Sequence, residues 1–554
     1  MLLGIDVGGT FTDAVIIDGG TIVSSAKRRT TKENLMNGIT DVLGAVMSGV
    51  DPAQIEQVTL STTVVTNTIV EHKEQPVDLY VVAGPGRNVD DIFPVRPVYL
   101  KGYTDHRGIV VERTDVEGTH QLANMVQSKS GTDLAAVSAK FGVRNPKEEI
   151  DIANGLASTY TTISTGSALS GNLNFPRRTI SAYFNSAVAS VFKDFKNAVH
   201  HALETFHITA PVYILKADGG SLPIDTVESI PVETVFTGPA ATVLGLEALR
   251  STKESHTVAL DIGGTTTDIS LWKQGKPLMT KEGVSIREYP SAVRSFAVTS
   301  VGIGGESAVR YEDGKLMVGP ERIGPSVALG GTIPTLGDAL IVLGNAHYGD
   351  EQKAYDAIAQ IDTTIDANTM AQRIVDTAVR VVTQGIDTVV AKENKRPIYV
   401  VADIVHPDPF VPAQLVIVGG TAASLGPIIG DQLGLPVHIP ADAAVANAIG
   451  AGVANHTMAI TVHVDTKRRT MVVPELGIQD TGSSLRSAQA VEEIAYDLLR
   501  EAAQEQGLVP QGAMPAIETI SAEDFPVVDG WQSMERIITV KVQLKAGVSG
   551  YVES

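Results

Sequence analysis

The chain contains no cysteine, which removes disulfides, thiolate nucleophiles and thiolate metal sites together. It also has no basic excess: 43 Lys and Arg stand against 63 Asp and Glu, a formal charge of −20. A general nucleic-acid partner or an anionic membrane surface, both of which need basic surface, is therefore not expected. A small anion held by backbone N–H groups and a metal ion is still allowed. No uninterrupted apolar run approaches the ~20 residues a membrane helix needs. Asp6 interrupts an apolar start that no basic region precedes, so a secretory signal is not expected either, and the reading is a soluble, cytoplasmic protein. Three signatures are missing as well. Without G-x-x-x-x-G-K-[ST], G-x-S-x-G or H-E-x-x-H, a P-loop, a serine-hydrolase elbow and a zinc hydrolase are set aside.

Glycine is abundant, at 52 residues in a chain of 554, and much of it is clustered beside apolar runs. That length exceeds what one hydrophobic core serves, so several domains are expected. Leu2–Ile5 and Ala14–Ile17 flank Asp6-Val7-Gly8-Gly9-Thr10-Phe11-Thr12-Asp13, a spacing too short for a helix and suited to a hairpin with a glycine turn. The pattern returns 255 residues later as Asp261-Ile262-Gly263-Gly264-Thr265-Thr266-Thr267-Asp268, between Val258–Leu260 and Ile269–Trp272. Two copies of so specific a turn mark the openings of two similar α/β halves.

The rest of the chain alternates strand and helix signals. Strands are expected at Val77–Val82, Leu134–Ala139, Val212–Leu215 and Leu415–Val418, the last ending in Gly419-Gly420. Helical spacing runs from Ile180 to about Glu204 and from Met370 to Val390, and Ala443–Ala454 reads as a small-residue helix. Beyond residue 456 the character changes. Alternation at Ile460–Val464, a helix over Ser487–Gln506 stopped by Gly507, and a last strand at Val540–Leu544 describe a small α/β module. The expected division is 1–178, 179–456 and 457–554.

The repeated turn has a chemical use. A Gly-Gly pair lets backbone N–H groups approach an anion without Cβ obstruction, and threonines add hydroxyl donors. The leading Asp, at the end of a strand, can hold Mg²⁺ directly or through water. Two such loops facing each other across a cleft could hold a polyphosphate from both sides. The bland alternative is a pair of ordinary hairpin turns. Asp13 and Asp268 read either as part of that site or as pins for their own hairpins.

Asp-x-Gly-x-Thr, its repeat and the late Gly-Gly resemble the actin, sugar kinase and Hsp70 ATPase superfamily. More narrowly, GIDVGGTFTDAV, STTVVTNTIVE (Ser61–Glu71), TGPAATV (Thr237–Val243), LDIGGTTTDIS and PTLGDALIVLG (Pro334–Gly344) occur in the order that resembles the hydantoinase/oxoprolinase family of ATP-dependent cyclic-amide hydrolases. The resemblance covers roughly residues 1–455. Its usual His-Gly before Thr-Thr is Leu60-Ser61 here, its Ser-Gly-Pro-Ala-Gly-Gly is Thr237–Thr242, and its later Thr-Asp is Gly337-Asp338.

That resemblance implies two actin/Hsp70-like halves facing across a nucleotide cleft, with ATP and Mg²⁺ as cofactors. Gly8, Gly9, Thr10 and Thr12 would contact phosphate in one loop, and Gly263, Gly264, Thr265 and Thr266 in the other. Gly304 and Gly305 would give a third backbone approach, with Gly419 and Gly420 under the adenosine. Asp6 and Asp261 would organise the metal, and Asp338 would act as general base or position a water. Thr62, Thr63, Thr66 and Asn67 would line the substrate side of the cleft, or alternatively cap a helix. The implied activity is hydrolysis of a small cyclic amide or imide of 5-oxoproline or hydantoin type, with phosphorylation of the amide oxygen. A second hydrolase subunit and a homo- or hetero-oligomer are implied too. The rivals are a small-molecule kinase on the same cleft and an ATPase that remodels a partner enzyme.

Overall fold

The computed structural model describes residues 1–30, 35–86, 90–250, 256–280, 282–396, 405, 407–527 and 535–553. Strand Leu2–Val7 turns through Gly8-Gly9 into the antiparallel strand Phe11–Asp18, which pairs onward with Thr21–Arg29. On its other side Leu2–Val7 runs parallel to Gln57–Thr62, followed outward by Val212–Leu215 and Ser221–Pro223, completing six strands. Leu3, Ile5 and Val7 are buried, as are Val58 and Leu60 beside them, as expected for strands covered on both faces.

The second half repeats this plan. His256–Ile262 pairs antiparallel with Thr267–Lys273 and parallel with Gln414–Val418, which is flanked by Val437–His438. The molecule is thus a mixed α/β protein built on two like-ordered sheets. The first sheet takes its outer two strands from residues 212–223, so a cut at residue 178 would separate Val212–Leu215 from the strand it completes.

Two small-residue helices lie between the halves, Thr237–Ala248 and Ala446–Gly452. They touch backbone to backbone, since a Cβ on Gly450 would lie 2.0 Å from the Ala241 carbonyl oxygen and one on Gly245 would lie 2.1 Å from that of Ala446. The second helix also crosses the first sheet, with the Gly4 Cβ position 2.1 Å from the Ala448 oxygen. Only glycine permits such approach, and it sets the helix Ala446–Gly452 at the base of the cleft.

The expected helix from Ile180 to Glu204 is two helices, Phe175–Ala187 and Ala189–Thr205. The break falls at Val188, where the N–H of Gln75 donates to the Ala187 carbonyl from outside the helix (3.1 Å). Thr162–Thr165, Leu134–Ala139, Asp78–Val82 and Val98–Tyr99 form a separate parallel sheet.

At the C-terminal end, Ala459–Asp465 is the centre of a five-stranded antiparallel sheet with Thr470–Val473, Ile478–Thr481, Glu535–Leu544 and Ile517–Val527. Helix Ala488–Glu505 is capped by Ser487, which accepts from the Ala490 N–H, and buries Val491, Ala495 and Leu499. These residues, with Ile460, Val462 and Val540, belong to the same apolar cluster as Leu3 and Ile5, so the C-terminal sheet and the first half share one core. Among the described residues no helix is long and apolar enough to cross a membrane.

Candidate functional site

The hairpin register decides which side chains meet. Asp6 lies directly opposite Asp13 across the first hairpin, and Asp261 opposite Asp268 across the second. Directly opposed residues project from the same face of an antiparallel pair, so each turn presents two carboxylates. Both turns close identically: Gly8 N donates to the Phe11 oxygen and Gly263 N to the Thr266 oxygen, each at 3.0 Å. The loops also face each other. A Cβ on Gly264 would stand 3.5 Å from the Thr10 methyl and 3.5 Å from Glu306 Oε2.

Between the two hairpins stands Asn447, on the helix Ala446–Gly452. Its Nδ2 is 3.4 Å from Asp6 Oδ2 and 3.3 Å from Asp261 Oδ2, so one amide spans both leading carboxylates. Ser61 donates to Asp6 Oδ1 at 2.5 Å, and Thr242 donates to Asp261 Oδ2 at 2.6 Å while lying 2.8 Å from Asn447 Oδ1. Lys27 Nζ donates to Asp13 Oδ2 at 2.6 Å and to the Ala444 oxygen at 3.1 Å. The other oxygen of Asp13 is buried without a hydrogen-bond partner among the described residues. Asp268 accepts from Ser300.

The carboxylates of the two hairpins act on one another, Lys27 acts on Asp6 and Asp13, and the proton affinities of Asp6, Asp13 and Asp268 are raised. Burial raises the Asp6 carboxyl above the ordinary range, against hydrogen bonds from Ser61 and Asn447 and the charge of Lys27, with Asp261 adding repulsion. Burial pushes Asp13 up to about 7 despite Lys27, and burial with the nearby Asp261 raises Asp268 to about 6. Such a site is short of positive charge.

The other glycine segments pack against the second loop. Gly305 N donates to the Gly263 oxygen (3.0 Å), Glu306 N to the Gly264 oxygen (2.6 Å) and Gly337 N to the Gly305 oxygen (2.7 Å). Gly419, at φ 97°, is required where it sits, since a Cβ would come within 2.5 Å of Asp261 Oδ1; Gly420 beside it faces open space. Glu306 is held by Arg322 at 2.6 Å and reached by Arg29 of the first half at 3.3 Å, an ion pair across the cleft.

The threonine-rich stretch divides in two. Thr63 and Asn67 face the first loop, joined by an Nδ2–Oγ1 hydrogen bond of 3.1 Å, and the Cβ position of Gly9 lies 3.4 Å from Asn67 Nδ2. Thr62 and Thr66 instead tie the strand end to the start of helix Thr237–Ala248. The Thr62 N–H donates to Thr237 Oγ1 at 3.0 Å, and Thr66 Oγ1 accepts from the Phe236 N–H at 2.9 Å.

Two expected residues lie away from the loops' open side. Thr12 is fully buried with its hydroxyl 3.0 Å from that of Thr30, because the strand alternation turns it inward; its counterpart Thr267 donates to the Ile303 oxygen at 2.7 Å. Asp338 is fully buried and saturated. It accepts from the N–H groups of Val327, Ala328 and Thr335 and from the Thr335 hydroxyl, all at 2.9–3.0 Å, and forms a capping box with Thr335. A carboxylate so occupied has no lone pair left to take a proton from a water.

Asn447, Lys27, Ser61 and Thr242 went unassigned in the sequence. A signal existed for the first: Asn447 is the sole polar side chain between Ala443 and Ala454, and a polar group inside a small-residue helix needs a partner.

The arrangement can be set beside known proteins. The family described as hydantoinase/oxoprolinase matches residues 178–460, and its N-terminal region matches residues 2–159. Caprolactamase subunit alpha of Pseudomonas jessenii is 26% identical over 383 residues, covering 62% of this chain and 54% of that one; the chain spans about half that subunit's length. Among solved structures, nucleotide-free acetone carboxylase aligns with a TM-score of 0.70 at 16% identity, covering 99% of this chain and 87% of that one. The ATP-dependent caprolactamase of P. jessenii aligns with a TM-score of 0.69 at 20% identity, covering 98% and 87%. At these identities the structural likeness is one of fold.

Proposed function

The chain belongs to the hydantoinase/oxoprolinase family, and from that premise we propose that it carries the ATP- and Mg²⁺-dependent step in hydrolysis of a small cyclic amide or imide. The observation that carries this reading is Asn447, within 3.4 Å of Asp6 and 3.3 Å of Asp261, which sets the two glycine loops at one site. Resonance makes an amide carbon a poor electrophile, and transfer of a phosphoryl group to the amide oxygen is the chemistry that ATP with its metal would supply there.

The residues fit such a group in kind. Among the described residues no cluster of three or more His, Asp or Glu forms a dedicated metal cage, but Mg²⁺ keeps several waters and is commonly held by one or two carboxylates plus phosphate oxygens. Asp6 and Asp261 supply that pair, and the unpartnered oxygen of Asp13 is a further acceptor for a bound water. The N–H groups of the two turns, with Thr10, Thr265 and Thr266, would receive phosphate oxygens, while Gly304 and Gly305 back the second loop. Gly419 and Gly420 leave the flat approach an adenosine needs. Thr63 and Asn67 border the first loop where a ring would lie, with Thr62 and Thr66 fixing the segment that carries them. Lys27 neutralises Asp13 and so keeps the loop from repelling phosphate.

In this reading residues 1–178 and 179–456 serve as the two nucleotide-binding segments and 457–554 as an accessory module, the first half borrowing strands from 212–223. Ring opening is completed with a second hydrolase subunit in a hetero-oligomer, as the subunit name of the caprolactamase relative suggests. The test is phosphate release from Mg-ATP with and without ε-caprolactam, 5-oxoproline and hydantoin. Stimulation by one ring, with ring-opened product equal to ADP, supports the proposal. Turnover indifferent to every ring, with the purified partner subunit present, overturns it.

A further inference from the structure

A second polar site lies away from the glycine loops, under the C-terminal sheet. A cavity of about 440 Å³, open to solvent on one side, lies between the strand end at Ile163–Thr165, the Lys216–Asp218 turn, the segment Thr226–Glu233, Arg294 and the C-terminal strands bearing Glu475, Lys541 and Gln543. That volume suits a molecule the size of an amino acid with a few waters. Its walls carry three acids, Asp218, Glu233 and Glu475, and three bases, Lys216, Arg294 and Lys541.

Four of these six groups already have a partner in direct contact. Lys216 and Asp218 form a buried ion pair at 3.3 Å, and Asp218 also accepts from the Gly220 N–H at 3.0 Å. Arg294 is hydrogen-bonded to Gln543 Oε1. Glu475 accepts from the Thr461 hydroxyl at 2.8 Å and the Gly171 N–H at 2.9 Å. Glu233 and Lys541 remain. Both line the cavity, and among the described residues neither side chain has a hydrogen bond or an ion pair within 4.0 Å. Burial pushes the Glu233 carboxyl up to about 7, against the charges of Lys216, Lys541 and Arg294, and lowers the Lys541 ammonium, against those of Glu475, Glu233 and Asp218, so opposite charges are near both groups but none is in direct contact with either.

We propose that this cavity binds a small zwitterion, its ammonium directed to Glu233 and its carboxylate to Lys541. An acid and a base that each lack a direct contact are the complement of a molecule bearing both opposite charges, and binding would give each a partner at hydrogen-bond distance. The site stands on its own residues whether or not the ring-opening reading holds, although a ring-opened lactam is a molecule of this class.

The test is thermal unfolding of the full chain without nucleotide, in 6-aminohexanoate or L-glutamate, compared with hexanoate and hexylamine as singly charged controls. One of the two zwitterions is expected to raise the unfolding midpoint by several degrees at saturation and the controls are not; which one responds distinguishes an ω-amino from an α-amino ligand. Lys541→Met should weaken binding at least tenfold. Ser229→Trp, at the exposed mouth, should abolish it while leaving the cavity walls intact, and it serves alone if Lys541→Met does not fold. No shift with either zwitterion, an equal shift with a singly charged control, or a shift that survives Ser229→Trp overturns the proposal.

Discussion

In the first hairpin Asp6 is anchored by Ser61, its neighbour across the parallel strand pair, whereas in the second the equivalent neighbour of Asp261 is Val418 and the anchoring hydroxyl comes from a helix, as Thr242. The opposed carboxylates differ more. Asp13 is paired with an ammonium and Asp268 only with a hydroxyl. The duplicated backbone thus fixes where each carboxylate points, while the groups that hold it are chosen locally. Asn447, reaching both sides, belongs to neither copy. The two hairpins share a geometry and divide the electrostatic work, with an ammonium in direct contact with the opposed carboxylate of the first and a hydroxyl with that of the second.

The largest test of that shared geometry is Asp6→Asn beside Asp261→Asn. Removing one preorganised charge stabiliser costs about 3–4 kcal/mol in the barrier, roughly 10²–10³-fold in rate. Both variants should lose ATP hydrolysis to this degree, measured as phosphate release. If Asp261→Asn keeps parental turnover while Asp6→Asn is inactive, the second hairpin is a structural echo of the first. A smaller contrast tests the division of work. Lys27→Met leaves Asp13 buried beside no cation and should cost about 2 kcal/mol of stability, since Lys27 is partly solvated. Ser300→Ala, on the second hairpin, should cost about 1 kcal/mol. Equal losses in chemical denaturation would erase the asymmetry.

The pH dependence sharpens the comparison further. Asp268 has a folded carboxyl raised to about 6 from an ordinary 3.8, so the folded chain holds its proton more tightly than the unfolded one. The stability this confers is fully present below 3.8 and is lost as pH rises through about 6. Asp268→Asn, which stays neutral, should therefore be more stable than the parent at pH 8 by about 1–2 kcal/mol, a figure reduced because the side chain keeps partial solvent access. The gain should vanish near pH 4. Parent and variant with parallel stability curves from pH 4 to 8 would show that Asp268 is not held against its ionisation. A gain in stability from removing a charge near a reactive site is the usual signature of a group retained for function.

The hairpins and their register were legible because D-x-G-G-T-x-T-D is local: seven of eight positions, with Val7 and Ile262 as equivalents, state the turn and its flanking strands. Groups brought in from far along the chain were not. Asn447 reaches Asp6 across 441 residues, which no local pattern encodes, and Lys27, 14 residues from Asp13, meets it through the register of the next strand rather than through the repeated motif. Asp338 was legible in another way, as part of a local cap. Thr335-x-x-Asp338 is a capping box written in plain spacing, and its two glycine-rich neighbours drew attention to chemistry. The strand Ile517–Val527 escaped notice because it is a half-exposed edge with Pro526 near its end, so it lacks the alternation that betrays a buried strand.

The smallest effect is expected where the two halves touch through charge. Arg29, 46% exposed, reaches Glu306 at 3.3 Å, but Glu306 is already held by Arg322 at 2.6 Å. Removing Arg29 leaves no buried carboxylate alone, so Arg29→Ala should change stability by less than about 1 kcal/mol. What it removes is a tie between the strand Thr21–Arg29 and Glu306, whose N–H holds the Gly264 carbonyl of the second loop. The expected result is a rise of about 2–5-fold in KM for ATP with kcat nearly unchanged, the pattern of lost ground-state binding. Raising salt should reproduce that rise in the parent and have little effect on the variant, since a half-exposed pair is screened. A fall in kcat of tenfold or more would mean that Arg29 acts on the reaction itself, and that the first hairpin's strand brings a second cation to the cleft.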